Sequence, residues 1–278
     1  MVFLNGEFIE KNQAHISVMD RGFLFGDGVY EVIPIYNNKI FRLNAHLLRL
    51  QTSLDSVKIK NPYNLKEWGD ILSKLLDFYN NQEQSIYLQI SRGVGNKRKH
   101  SFSNLTPTVY IESNPLLTKT KQTLKVGFSA ITQPDIRWHR CDIKSISLLA
   151  NVMYSQQAKE KNVEEVILYR DNQVTEGATS NVFVIKDNTL FTHPTSVHIL
   201  SGITRDLVLE SARACHIPIK EVSFSMDELN AADELWISSS TREIMPITQV
   251  DGKLINRGNI GNAWGCVYDY YQSLKNAR

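Results

Sequence analysis

The run Arg140-Cys141-Asp142-Ile143-Lys144-Ser145 places a lysine in a short segment between an expected strand and an expected helix. An amine there is an ordinary surface group, unless burial and neighbours lower its pKa. In that case it becomes a nucleophile able to form a Schiff base. Composition alone leaves both readings open. A second run, Val174-Thr175-Glu176-Gly177-Ala178-Thr179-Ser180-Asn181-Val182-Phe183, brings a carboxylate, a glycine, two hydroxyls and an amide into an apolar strand. Polar turns collect such residues, but turn chemistry already stands upstream at Asp171-Asn172. Glu176 has the chemistry to pair with a protonated ring nitrogen, the partner a pyridinium needs to act as an electron sink.

Gly202-Ile203-Thr204-Arg205-Asp206 precedes an apolar helix. It reads equally well as a simple helix start or as an anion site, because free N–H groups and the helix dipole favour a phosphate there. Ser239 and Ser240, in the run Ser238 to Thr241, could add hydroxyl donors. Arg49, lying off the apolar stripe of its own helix, could add charge. The loop Arg92-Gly93-Val94-Gly95-Asn96-Lys97-Arg98-Lys99-His100 is the densest basic cluster. It is a solvated loop or a trap for a substrate carboxylate, in which Arg98 supplies a guanidinium fork beside His100. No aromatic residues interleave it, which argues against a nucleic-acid patch.

The elements that must carry these groups are mixed. Asn5-Gly6, Asn37-Asn38, Asp171-Asn172, Asp187-Asn188 and Asp251-Gly252 read as turns, the first and last as tight hairpins. Ile86, Leu88 and Ile90 alternate with polar neighbours as a strand does. Leu47, Leu50, Leu54 and Val57 recur at helical spacing after Asn44, a plausible N-cap. Asn64 with Glu67, and Ser225 with Glu228, have the form of capping boxes; the apolar face after Asn64 runs to Tyr79. Strands cluster rather than alternate strictly with helices, so α+β is expected. The polar, Lys-rich stretch from Ser113 to Thr123 is the best linker.

The 278 residues carry 31 Lys+Arg against 29 Asp+Glu, a net charge of +2. That balance excludes a strongly basic nucleic-acid binder or membrane-surface protein. Three widely spaced cysteines, Cys141, Cys215 and Cys266, offer no metal-ligand spacing and no disulfide scaffold, so no metal is expected and a reducing, cytoplasmic setting fits. Nothing resembles a signal peptide or a membrane span.

Taken together, Asp20-Arg21-Gly22-Phe23-Leu24-Phe25-Gly26-Asp27-Gly28-Val29-Tyr30-Glu31, Lys144, Glu176-Gly177 through Ser180-Asn181, and Gly202-Ile203-Thr204-Arg205 resemble the class IV (fold type IV) pyridoxal-phosphate aminotransferases over nearly the whole chain. Asp135-Ile136-Arg137-Trp138 and Arg98-Lys99-His100 are most similar to the D-amino-acid aminotransferases within that family. The resemblance implies a two-domain fold with the cofactor between the domains. Residues 1–115 would form an N-terminal domain and 116–123 a linker. Residues 124–278 would form a pseudo-barrel carrying the cofactor lysine. It implies that Lys144 forms a Schiff base with pyridoxal 5'-phosphate and then shuttles the substrate proton. Glu176 would hold the pyridine nitrogen. Leu200 would pack beside the ring. Arg49, Ile203, Thr204, Ser239 and Ser240 would hold the phosphate, and Thr179 and Ser180 would complete the cofactor site. Tyr30, Arg98 and His100 would trap the substrate α-carboxylate across the interface of a homodimer. The implied reaction is ping-pong transamination of a D-amino acid such as D-alanine with a 2-oxo acid such as 2-oxoglutarate. Aminodeoxychorismate lyase and branched-chain L-amino-acid aminotransferase are the alternatives within the family. Pro34 replaces a commonly polar residue on the substrate side, and Arg242 follows the phosphate-side hydroxyls where a small residue is common.

Overall fold

The computed structural model describes residues 1–78 and 83–276; Tyr79 lies outside them. The chain divides into two compact units, Met1–Leu117 with Ile143–Leu148, and Thr118–Asp142 with Leu149–Arg278. This differs from the expected continuous partition in one place that matters. The segment carrying Lys144 belongs to the first unit, because its backbone is bonded there. The Tyr30 N–H donates to the Lys144 carbonyl at 3.0 Å, and the Ile146 N–H to that of Gly28 at 3.1 Å. The expected linker is also partly ordered, since residues 121–124 form a helical turn.

The first unit contains β1 (Val2–Leu4), β2 (Glu7–Ile9), α1 (Arg21–Phe25), β3 (Gly28–Tyr36), β4 (Lys39–Ile40), α2 (Leu43–Val57), α3 (Leu65–Leu76), β5 (Gln84–Ser91) and β6 (Thr108–Pro115). Its sheet runs β2-β1-β6-β5-β3-β4, with neighbouring strands antiparallel. One face is apolar. Ile86, Leu88 and Ile90 from β5 and Val29, Ile33 and Ile35 from β3 meet Leu47, Leu50 and Leu54 of α2 and Trp68, Leu72 and Leu75 of α3. Each such buried side chain contributes about 1.5–3 kcal/mol of transfer free energy. The capping box at Asn64 and Glu67 forms. α2 differs from expectation. It starts at Leu43, its N-cap is Arg42 in a left-handed conformation, and no side chain caps it.

The second unit contains α4 (Lys121–Leu124), β7 (Phe128–Pro134), α5 (Leu149–Glu160), β8 (Glu165–Arg170), β9 (Gln173–Gly177), β10 (Asn181–Lys186), β11 (Thr189–Thr192), α6 (Ile203–Ala214), β12 (Ile219–Glu221), α7 (Met226–Asn230), β13 (Glu234–Ser239), β14 (Glu243–Val250), β15 (Lys253–Leu254) and α8 (Asn262–Asn276). Its sheet runs β12-β11-β10-β13-β14-β7-β8-β9, with β15 on β14. β9 ends this path, yet only residues 178–180 separate it from β10, an interior strand. So short a link spans at most about 14 Å, so the sheet must curl to bring β9 beside β10.

Cys215, at the end of α6, and Cys266, in α8, are joined as a disulfide across 51 residues of sequence. This corrects the expectation of isolated thiols: packing of two helices brings together cysteines whose spacing signalled nothing. Cys141 is free and buried. Among the described residues no helix is long and apolar enough to cross a membrane.

Candidate active site

In the first unit the site is built on β3 and on the 143–148 segment. Strand alternation sends Val29 to the core and leaves Tyr30 half-buried on the opposite face. There its ring lies 4.3 Å from the Lys144 amine and 5.8 Å from the ring of Tyr87. The Ser53 hydroxyl accepts the Lys144 backbone N–H at 3.3 Å. Among the described residues no carboxylate lies within salt-bridge range of the Lys144 amine.

The next residue on β3, Glu31, is fully buried. Arg49 donates to both of its oxygens, from Nε at 2.8 Å and from Nη2 at 2.7 Å. His46 Nδ1 lies 2.8 Å from Oε2. Burial alone would raise the Glu31 pKa; the Arg49 charge and the hydrogen bonds from Arg49 and His46 overcome it and hold the group at about 2. Burial lowers the His46 pKa despite Glu31, and the charges of Arg49 and Lys144 push the same way. Two of the donors of Arg49, expected at a phosphate, are therefore committed to an internal carboxylate.

Arg98 and His100 both pack on Phe25, the Arg98 guanidinium 4.9 Å and the His100 ring 5.4 Å from that ring's centre. Their loop is held from below by Arg21, which donates to the carbonyls of Lys99 at 2.6 Å and His100 at 2.9 Å. Arg92, in the same basic run, is structural: it is buried, forks onto Asp27 and donates to the carbonyls of Val57 and Lys58.

In the second unit Glu176 sits at a β-bulge. The β8/β9 register moves from Tyr169↔Val174 to Ile167↔Gly177, three residues on one strand against two on the other. Val174 to Gly177 are all buried, as are successive residues of β10 and β13, so both faces of this part of the sheet are covered. The Glu176 carboxylate accepts from Arg137 Nη1 at 2.6 Å, the Leu200 N–H at 3.0 Å and Asn181 Nδ2 at 3.1 Å. Leu200 thus meets Glu176 through its backbone. Burial pushes Glu176 up to about 6, against the pull of Arg137 and the Leu200 N–H. Arg137 itself is tied by Nε and Nη2 to both oxygens of Asp135.

The N-terminus of α6 is arranged for an anion. Its N-cap is Gly202, which has no side chain to satisfy the first-turn N–H groups of Ile203 and Thr204. Gly202 is required: a Cβ there would lie 2.1 Å from Asn181 Oδ1. Asn181 stands directly opposite Ser238 in the β10/β13 pair, and the Ser238 hydroxyl is buried without a partner. Ser239 and Ser240 follow at the same strand end. An uncapped helix start, an unsatisfied hydroxyl and two further hydroxyls at one end of the sheet fit a phosphate. Thr179 and Ser180 have another commitment, since both hydroxyls donate to Glu165, at 3.1 and 2.7 Å.

Sequence reasoning missed Glu31, His46, Arg137, Asn181 and Glu165 as supporting groups. Glu31, Arg137 and Asn181 lie inside the family-like runs, which was a usable signal; His46 and Glu165 carry none.

A family model described as amino-transferase class IV matches residues 28–250. D-alanine aminotransferase of Bacillus licheniformis is 42% identical over 261 residues, covering 94% of this chain and 92% of that protein. D-alanine aminotransferase of Staphylococcus aureus (strain N315) is 40% identical over 266 residues, with the same shares. Among solved structures, a branched-chain aminotransferase from Thermoproteus uzoniensis with norvaline has a TM-score of 0.87 at 25% identity, covering 99% of this chain and 94% of that one. The branched-chain amino acid aminotransferase from Escherichia coli has a TM-score of 0.88 at 25% identity, covering 98% of this chain and 93% of that one. A lysine beside a tyrosine ring, a bulged glutamate and an uncapped helix start, on a chain matched from β3 to β14, have one common explanation: the chain belongs to the class IV aminotransferases.

Proposed function

We propose that the enzyme transaminates D-amino acids, with D-alanine as donor and a 2-oxo acid such as 2-oxoglutarate as acceptor, using pyridoxal 5'-phosphate. The observation that carries this is about 40% identity to D-alanine aminotransferases over 94–97% of the chain. When bound, the cofactor supplies an electron-withdrawing ring that stabilises negative charge at the substrate Cα. The chain's own residues do the rest. Lys144 would hold the cofactor through its amine and, when that amine is free, would take the proton from the substrate Cα as base and deliver it as acid to the cofactor's C4′ rather than back to Cα. Glu176 pairs with the ring nitrogen. Ile203 and Thr204 at the start of α6, with Ser239, Ser240 and Arg49, hold the phosphate. Tyr30, Arg98 and His100 bind the α-carboxylate, so that a fixed carboxylate and a fixed proton shuttle select one enantiomer. Thr179 and Ser180 act through Glu165 rather than on the ring.

We read the protein as a homodimer of the cytoplasm, a compartment in which the Cys215–Cys266 pair would be held reduced. Exposed apolar side chains near the Arg98 loop, Phe23 at 68% and Phe102 at 49%, are suited to an interface.

The test supplies D-alanine with 2-oxoglutarate, L-leucine with 2-oxoglutarate, and aminodeoxychorismate alone. Pyruvate from D-alanine that requires the acceptor, and is lost in Lys144→Ala, is expected. Turnover of L-leucine alone would make the enzyme a branched-chain aminotransferase. Pyruvate from aminodeoxychorismate without acceptor would make it the lyase.

A further inference from the structure

Arg242 is the residue that departs from the family pattern beside the phosphate-side hydroxyls, and its contacts give it a task. β13 and β14 pair Ser239 with Glu243, leaving Ser240, Thr241 and Arg242 as the loop. The Arg242 N–H donates to the Ser239 hydroxyl at 3.2 Å. Its guanidinium Nη1 donates to Glu165 Oε2 at 2.8 Å. Glu165 is 2% exposed and also accepts the hydroxyls of Thr179 and Ser180. One buried carboxylate therefore ties the β9–β10 turn to the β13–β14 turn.

Both turns lie at the same end of adjacent strands, since β10 begins at Asn181 opposite Ser238 near the end of β13. Without a cation, Glu165 would be a buried charge held by neutral donors alone, a costly arrangement. With it, the turn presenting Ser239 and Ser240 is braced against its neighbour, and a positive charge stands beside an anion site.

We propose that Arg242 is a positioning residue for the cofactor's phosphate: through Glu165 it fixes the Ser239–Ser240 turn. This rests on the pyridoxal-phosphate reading above. A small residue at this position would leave the turn to hold itself.

The test uses cofactor-stripped protein titrated separately with pyridoxal 5'-phosphate and with pyridoxal, which lacks the phosphate. Wild type, R242M, R242K, E165Q and the R242M/E165Q double variant are compared. R242M should weaken binding of the phosphate form on the order of tenfold, the scale of one charge-assisted hydrogen bond. Pyridoxal binding should stay as in wild type, and R242K should recover part of the loss. The double variant should lose less than the sum of the single losses, because both act through one contact. Equal losses for both ligands, or strictly additive losses, would overturn the positioning role. So would an R242M that binds the phosphate form as wild type does. A wild type that holds pyridoxal as tightly as its phosphate would instead overturn the cofactor reading beneath it.

Discussion

Glu31 with Arg49 in the first unit and Glu176 with Arg137 in the second are both buried glutamate–arginine pairs, yet the two carboxylates are driven in opposite directions. Glu31 in the first unit is held at about 2, whereas Glu176 in the second is pushed up to about 6. Both are buried, so desolvation raises both. The difference lies in how each guanidinium is shared. Arg49 gives Glu31 two N–H groups on two oxygens, and His46 adds a third contact. Arg137 gives Glu176 a single N–H, because its fork is occupied by Asp135. A whole fork makes a structural anion; a divided one leaves a carboxylate within reach of a proton and suited to meet another ring's N–H. On the proposed function, the second arrangement is the one that would meet the cofactor's ring nitrogen.

Three measurements would break or sharpen that contrast. The largest effect is expected on rate: Glu176→Gln should lower kcat about 100-fold or more, the scale of removing one group aimed at charge in the transition state. Cofactor affinity, measured separately, should fall far less; full rate recovered at saturating cofactor would remove the electronic role. The next effect is on stability. Glu31→Ala should cost about 3 kcal/mol in urea unfolding, since Arg49 loses its fork partner in the interior. Glu176→Ala should cost less, and equal losses would erase the distinction. The smallest effect is on pH dependence in the cofactor-free protein. The folded pKa of Glu31 is depressed, so its contribution is complete above the ordinary value of 4.5 and is lost as pH falls toward about 2. The folded pKa of Glu176 is raised, so the folded state keeps a proton the unfolded chain has released, and stability falls by about 2 kcal/mol as pH rises from 4.5 to about 6. Thermal melts of Glu31→Gln should lack the first change and those of Glu176→Gln the second.

The local structure was readable in sequence wherever one residue type decides the backbone. All five Asn/Asp/Gly turns place both central residues at positive φ, as at Asn5 (49°) and Gly6 (104°), the twist that hairpins prefer. Both capping boxes form for the same local reason. What stayed hidden depends on distant packing. The bulge at Thr175-Glu176 is a register shift, and nothing in the run Val174 to Gly177 announces it. The Cys215–Cys266 pair follows from the packing of α6 and α8. α1, five residues capped by Asp20, is too short to show a period. For the site, Lys144 and Glu176 were legible only as members of a pattern. The groups that set their surroundings, His46 and Glu165 among them, were not, because an ion pair between distant residues leaves no spacing to read.

The ends of the two sheets have a consequence for the chain in a crowded cell. β2, β4 and β12, at the outer ends of their sheets, are only three, two and three residues long. They carry Glu7, Lys39, and Lys220 with Glu221. Of the other end strands, β15 is two residues long and β9 turns directly into β10. Unpaired strand edges are templates for joining other chains into aggregates, and short charged edges are poor templates. A chain with fifteen strands among its described residues thereby offers little backbone for a neighbouring chain to extend. Its apolar sheet faces can be assembled at high concentration without recruiting copies edge to edge.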